Sequence, residues 1–408
     1  MEDPIETSID EKAAILEKSR QANDEKKEAI LEACRTRDLD ALTALAESRG
    51  GFLTDSLRQQ AWPILLGIPP DHDKAEPGPD GSASAPSWES LPHHKDEDQV
   101  QLDVNRAFIY YPDNQTPSQL AHQKSLLSNL ILSLLRTHPY LCYFQGYHDI
   151  AQVLLLLLPP PLRLPCLTHL SLFRIRDFML PSLAPAITQL RLIPSILRLA
   201  DPPLWRHLSG TEPFFALSGT LTMYAHDITT LGEITRLFDV LLARDPVFTV
   251  YLFAAIVRAR RAELFDTPRD EPEMLHSILS KLPAPLDLEA LIAEAARLEA
   301  AFPPERLPAW RGVSRWSVLK TARGREGMRE GRAEQGRVWF ERQVAEMRWE
   351  EKKGRARKWV WRHRGPVRMV GVAVLVGVLA VLLRKGPLPG PVVSGLEYVS
   401  GLLARWWR

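Results

Sequence analysis

Two short polar runs interrupt a chain that is otherwise rich in leucine and proline. One is Tyr143-Phe144-Gln145-Gly146-Tyr147-His148-Asp149, set between the leucine-rich segments Leu126–Leu135 and Val153–Leu158. The other, about forty residues earlier, is Val100-Gln101-Leu102-Asp103-Val104-Asn105-Arg106. Arg106 offers a permanent, planar, forked charge that matches phosphate or carboxylate oxygens. Asp103 lies one helical turn before it and can hold the guanidinium in place. The Gln145 amide can accept from a water and donate to an oxygen at once. Phosphoryl transfer to water needs these two contributions: positive charge where negative charge builds up, and a group that aligns the attacking water. Taken singly, Asp103–Arg106 is what an ordinary surface ion pair looks like, and such pairs contribute little. Gln145 alone is an ordinary polar loop residue. A second chemistry would use Cys142 as nucleophile with His148 and Asp149. Those three lie within eight residues, beside a helix start, where a nucleophile and its base do not reach the required geometry; His148 and Asp149 suit the capping of that helix instead.

The elements around both runs read as helices. Thr116-Pro117 is a helix start, and Leu120, Leu126, Leu127, Leu130, Ile131, Leu134 and Leu135 follow at helical spacing until Pro139. A short apolar helix follows the second run and ends at Pro159-Pro160-Pro161. From 166 to 302 the pattern stays helical and is punctuated by proline, with Val247–Val257 apolar on every side, as a central buried helix requires. Upstream, residues 8–33 read as a charged helix opened by a Ser8/Glu11 capping box, and a second helix covers Asp38–Glu47. Next, Thr54 or Asp55 caps a helix in which Arg58 and Trp62, four apart, can stack guanidinium on indole. Residues 69–98 turn to Pro, Gly, Ser, Asp and Glu and read as a surface loop with one helical turn at Trp88–Leu91 and a solvated His93-His94 pair. No stretch alternates with period two. The fold class is therefore all-α.

Composition excludes several functions. The 408 residues carry a net charge of +1, which gives no pull toward nucleic acid. The three cysteines, Cys34, Cys142 and Cys166, form no CxxC pair, so neither a disulfide framework nor a zinc site is indicated. There is no GxxxxGK[ST] and no GxGxxG, so the chain is not expected to cradle a nucleotide or to have a cofactor of its own. The N-terminus lacks the basic and then apolar run of a signal peptide.

The C-terminal quarter is different in kind. Residues 303–365 are highly charged and read as a linker with an exposed helix; Lys352–Arg364 alone holds seven Lys or Arg. Met369–Leu383 is then a continuous fifteen-residue apolar run. As a helix it covers about 22 Å, against a hydrocarbon core of about 30 Å. Arg368 and Arg384-Lys385 can snorkel at its ends. Residues 366–385 are thus expected to be a single-pass membrane anchor, with the basic side, and so the bulk of the chain, in the cytosol. Residues 386–408 would form a short amphipathic tail.

Three motifs stand in order: Arg58-x-x-x-Trp62 with Leu66-Gly67, then Val100-x-x-Asp103-x-x-Arg106, then Tyr143-x-Gln145-Gly146. Together they closely resemble the TBC domain of Rab GTPase-activating proteins, over about residues 48–302. Residues 1–47 would be a helical extension of it. The resemblance implies a multi-helical domain that acts on the GTP form of a Rab, with GTP and Mg²⁺ carried by that partner and the chain no hydrolase on its own. It makes Arg106 an arginine finger and Gln145 a glutamine finger, supported by Asp103, Tyr143 and Gly146, with Arg58 and Trp62 structural. The membrane run resembles the anchored branch of the family, which acts on Rabs of the early secretory pathway; the endoplasmic reticulum is the expected membrane. A tethered Rab-binding scaffold without activity is the alternative. Gly219 departs from the family by standing where many members have Trp, which is expected to loosen the packing or the Rab-facing surface without touching the chemistry.

Overall fold

The computed structural model describes residues 4–69, 87–112, 114–324 and 333–362. Among these residues there is no strand, and the chain is a succession of helices: α1 (Pro4–Thr36), α2 (Leu39–Glu47), α3 (Asp55–Leu65), α4 (Glu97–Val104), α5 (Pro117–Thr137), α6 (Tyr147–Leu157), α7 (Pro160–Phe173), α8 (Ala184–Leu190), α9 (Leu192–Ala200), α10 (Pro202–His207), α11 (Leu217–Leu221), α12 (Leu231–Ala243), α13 (Phe248–Ala259), α14 (Arg261–Asp266), α15 (Pro272–Leu279), α16 (Leu288–Ala301), α17 (Val318–Thr321) and α18 (Ala333–Arg362). The described residues divide into two units, one ending at Val344 and the other beginning at Ala345.

Local chemistry sets the boundaries. Thr116 caps α5 by accepting from Gln119 N–H, and the Gln119 side chain returns to the Thr116 backbone, with Pro117 at the first helical position. Asp38 caps α2 through its side chain, and Thr230 does the same for α12. Helix α13, apolar all round, is buried along most of its length and packs against α16 and α9. Around it, α2, α3 and α12 pack together, with α1 against α2 and α3; Ile30, Leu42 and Ala46 are fully buried there, so the N-terminal helices belong to the core. A third group, α4 to α7, carries the two polar runs.

Several sequence expectations need correction. Helix α1 begins by Pro4, so Ser8 is interior to it and not its cap. Thr54 starts α3 without a side-chain capping bond; its hydroxyl meets Ser56 instead. His94 is buried and its Nε2 bonds the Leu141 carbonyl, while only His93 is solvated. Gly219 loosens nothing: a Cβ there would lie 3.1 Å from the Tyr224 ring and 3.4 Å from Phe253, so Tyr224 already fills the space. Residues 303–324 and 333–344 are not a linker. Trp310, Val313, Val318, Leu319 and Phe340 are buried. Asp177, fully buried, receives Gln189 Nε2 (2.7 Å), Val318 N–H (3.1 Å), Gln343 Nε2 (3.1 Å) and the Ser317 hydroxyl, which fastens this segment to the domain. From Ala345 to Arg362, α18 carries exposed Trp349, Trp359 and Trp361 among its basic residues. No helix among the described residues is long and apolar enough to cross a membrane. The anchor at 366–385, with Met369 and Leu383 at the ends of its apolar run, lies outside the described residues, as do the tail 386–408 and the loop 70–86.

Candidate active site

Arg106 follows the last turn of α4, its N–H bonded to the Asp103 carbonyl at 3.0 Å. The Asp103 carboxylate is fully buried and stands at the centre of the local chemistry. Its Oδ1 accepts from Arg106 Nη2 at 2.6 Å and from Gln99 Nε2 at 3.2 Å; its Oδ2 accepts from the Tyr143 hydroxyl at 3.0 Å. Charge-assisted bonds of this kind are stronger than neutral ones. The Arg106 side chain nevertheless stays 62% exposed. A buried anion thus aims an exposed cation outward.

The segment Cys142–Gly146 is fixed residue by residue. Cys142 N–H bonds the Met179 carbonyl at 2.8 Å, and Tyr143 N–H bonds Asp96 Oδ2 at 2.9 Å. Burial and the Asp103 carboxylate push the Tyr143 phenol far above its usual pKa, which keeps it a neutral donor. Phe144 is buried edge-on between Tyr147 (5.5 Å between centroids) and Phe178 (6.0 Å). Gln145, between these anchors, is exposed. Gly146 then turns the chain into α6 with φ of 96°, a conformation side chains resist. A Cβ there would also fall 2.6 Å from the Thr222 methyl.

Arg106 and Gln145 open onto one cavity of about 920 Å³, lined also by Tyr110, Asp149, Thr222 and His226. Its rim carries exposed Ile109 and Tyr110. The two polar runs therefore converge, with Tyr143 and Gly146 in the wall and Asp103 behind it. Arg58 and Trp62 do not line this cavity. They do not stack on each other either. Both point at Asp239, which is fully buried: Arg58 Nε and Nη2 at 3.0 and 3.1 Å, Trp62 Nε1 at 2.8 Å and Phe52 N–H at 3.0 Å. Burial raises the Asp239 pKa, and Arg58 opposes that rise.

His148 and Asp149 do not cap α6, because Gly146 occupies the cap position. Instead they join a lateral network. His148 Nε2 stands 3.3 Å from Asp149 Oδ1, and His226 Nδ1 stands 2.9 Å from Asp149 Oδ2. Cys142 faces Lys95 Nζ at 3.2 Å and takes no part in that network, which leaves the nucleophile–base arrangement without geometric support. His226 was not foreseeable from its neighbours in sequence; only the fold brings it to the cavity.

The sequence matches the family model described as the Rab-GTPase-TBC domain over residues 55–265. It is 35% identical over 306 residues to the GTPase-activating protein gyp10 of Schizosaccharomyces pombe, covering 74% of this chain and 78% of that one. It is 33% identical over 272 residues to human TBC1 domain family member 20, covering 66% of this chain and 65% of the relative, slightly under two thirds of its length. A solved Ypt/Rab-GAP domain, that of Gyp1p, aligns with TM-score 0.48 and 16% identity over 65% of this chain and 94% of that one. With over half of its length matched to the family and a relative so similar across most of both chains, this chain belongs to the Rab-GTPase-TBC domain family.

Proposed function

We propose that this chain accelerates GTP hydrolysis by a Rab GTPase, supplying Arg106 and Gln145 in trans. One observation carries the reading: an arginine aimed by a buried carboxylate and a glutamine held between buried anchors are both exposed on the same cavity. The Rab brings GTP and Mg²⁺. Arg106 stabilises charge that builds on the transferring phosphoryl group, an effect worth about 10³–10⁵ in rate. The Gln145 carbonyl oxygen accepts a hydrogen bond from the attacking water while its NH₂ donates to phosphate oxygen. Asp103 and Tyr143 hold Arg106 ready, so little reorganisation remains for the moment of reaction. Membership of the family, and the description of the relative gyp10 as a GTPase-activating protein, support the same reading.

The apolar run at Met369–Leu383 and the basic segment before it hold this domain to a membrane, facing the cytosol. Rabs of the early secretory pathway, at the endoplasmic reticulum, are the substrates the resemblance favours. Single-turnover GTP hydrolysis across a Rab panel tests the proposal. One Rab is expected to be accelerated at least 10³-fold, with R106A and Q145A each returning it close to its intrinsic rate. If no Rab gains more than about tenfold, or R106A matches wild type, the chain binds without activating.

A further inference from the structure

Another part of the cavity lining braces the Gln145 segment at two points. Both come from the stretch between α11 and α12. The first is steric: the Thr222 methyl fills the space beside Gly146. The second is electrostatic. Asp149, third residue of α6 and four after Gln145, takes His226 Nδ1 on Oδ2 at 2.9 Å. The braces are linked, because His226 N–H donates to the Thr222 hydroxyl at 3.4 Å. Behind them, His148 bridges Asp149 (3.3 Å) to the Tyr143 hydroxyl (3.4 Å), which bonds the Asp103 that holds Arg106. One chain of polar groups therefore runs from His226 to Arg106. His226 itself is 60% exposed, so no packing argument explains its place.

We propose that His226 and Asp149 form a proton-sensitive latch, closed across the cavity, that positions Gln145 for catalysis; this rests on the GTPase-activating reading above. His226 is here a positioning residue, acting through Asp149 and α6. Protonated, it makes an ion pair with Asp149; neutral, it keeps only a weaker hydrogen bond. The groups facing it are Asp149 from α6, Asp227 beside it, His148 from α6 and Arg106 after α4. Asp149 also faces Tyr143 and Tyr111. The bond to Asp149 raises the His226 pKa above the usual histidine value, burial opposing it, whereas burial lowers that of His148. The latch is thus fully closed below the ordinary histidine pKa and is lost as pH rises through the raised one.

Hydrogen exchange of the backbone at residues 143–149 in the full-length chain, corrected for intrinsic rates from pH 6 to 8.5, reads the latch directly. Opening is expected to rise several-fold with pH in wild type, to be high and flat in H226A, and to be flat in D149N. In turn, kcat for Rab GTP hydrolysis should fall about tenfold in H226A at pH 6.5 with KM unchanged, below the ~10²-fold that a 1 Å misplacement can cost. H226Q, a neutral donor, should recover part of kcat and show no pH limb. Equal exchange in wild type and H226A at pH 6 overturns the latch. So does a loss confined to KM, which would make His226 a contact of the GTPase. If no Rab is stimulated, the activating reading fails while the exchange data still decide the latch.

Discussion

Replacing Gly146 with alanine adds one methyl group at the point where the Gln145 segment meets another part of the cavity lining. Two separable penalties follow. The first is conformational: φ is 96° at this residue, and holding a side chain in such a region costs about 1–3 kcal/mol. The second is steric: the new Cβ would stand 2.6 Å from the Thr222 methyl. Thr222 cannot simply turn away, because it is 3% exposed and its hydroxyl donates to the Ser218 carbonyl at 2.9 Å. Overpacking of that kind costs about 1–3 kcal/mol. Together, G146A is expected to lose about 2–6 kcal/mol in urea unfolding. T222S removes the clashing methyl and keeps the hydroxyl, so the double variant G146A/T222S should recover the steric part and leave the conformational part. The cycle is a fair test because this methyl is the nearest atom to the added Cβ, the next being the Thr222 Cβ at 3.9 Å. Rab-stimulated turnover should follow the same order, since displacement of Gly146 moves Gln145. A G146A loss under about 0.5 kcal/mol, or a coupling energy near zero, would refute the close approach as the reason for glycine.

Two further outcomes are expected. Asp239→Ala leaves Arg58, Trp62 Nε1 and Phe52 N–H without their common acceptor, and a buried pair broken on one side costs about 3–5 kcal/mol, so urea midpoints should fall sharply while Asp239→Asn loses less. Glu97 ties α4 to α5 by accepting from Arg136 Nε at 2.7 Å and Nη2 at 2.9 Å, and chiefly that bond holds its pKa down at about 2. A depressed carboxylate contributes stability that is present above its unfolded value of about 4.3 and lost as pH falls through the folded one. Urea midpoints between pH 5.5 and 2.5 should therefore decline less steeply in E97Q than in wild type; equal slopes would remove Glu97 from the account of acid sensitivity.

What could be read from the sequence depended on range. Caps and periodicity are local, so α5 with Thr116-Pro117 and the all-apolar α13 were plain, and so was the all-helical class. Asp103, Arg106, Tyr143, Gln145 and Gly146 were visible as two motifs. Their convergence on one cavity was implied only by the resemblance. The pairing of Arg58 and Trp62 with Asp239 was not visible, because Asp239 lies far along the chain and only the fold brings donors and acceptor together. Residues 303–344 misled for a different reason. Their aromatic rings are covered by charged side chains, Lys320 and Arg323 over Trp310 at 5.2 and 5.7 Å and Arg342 over Trp316 at 4.6 Å, and their Arg337 lies over the Tyr140 ring at 5.7 Å. Stems that cover apolar surface while their heads stay in water make a packed segment look like a solvated one.

Three fully buried aspartates show what separates the site from the scaffold. Asp239, Asp177 and Asp103 each collect three or more donors, as a buried carboxylate must. At Asp239 the bound arginine is itself covered, with 8% of the Arg58 side chain exposed. Asp177 is closed by amides and hydroxyls and holds the C-terminal segment in place. Only Asp103 extends its bound charge to the surface, through an Arg106 that is 62% exposed. An internal tie gains nothing from exposing its cation, since solvent screening weakens the pair. The exposure of Arg106 makes sense if a second anion approaches from outside, and the cavity shared with Gln145 is where that anion would be met.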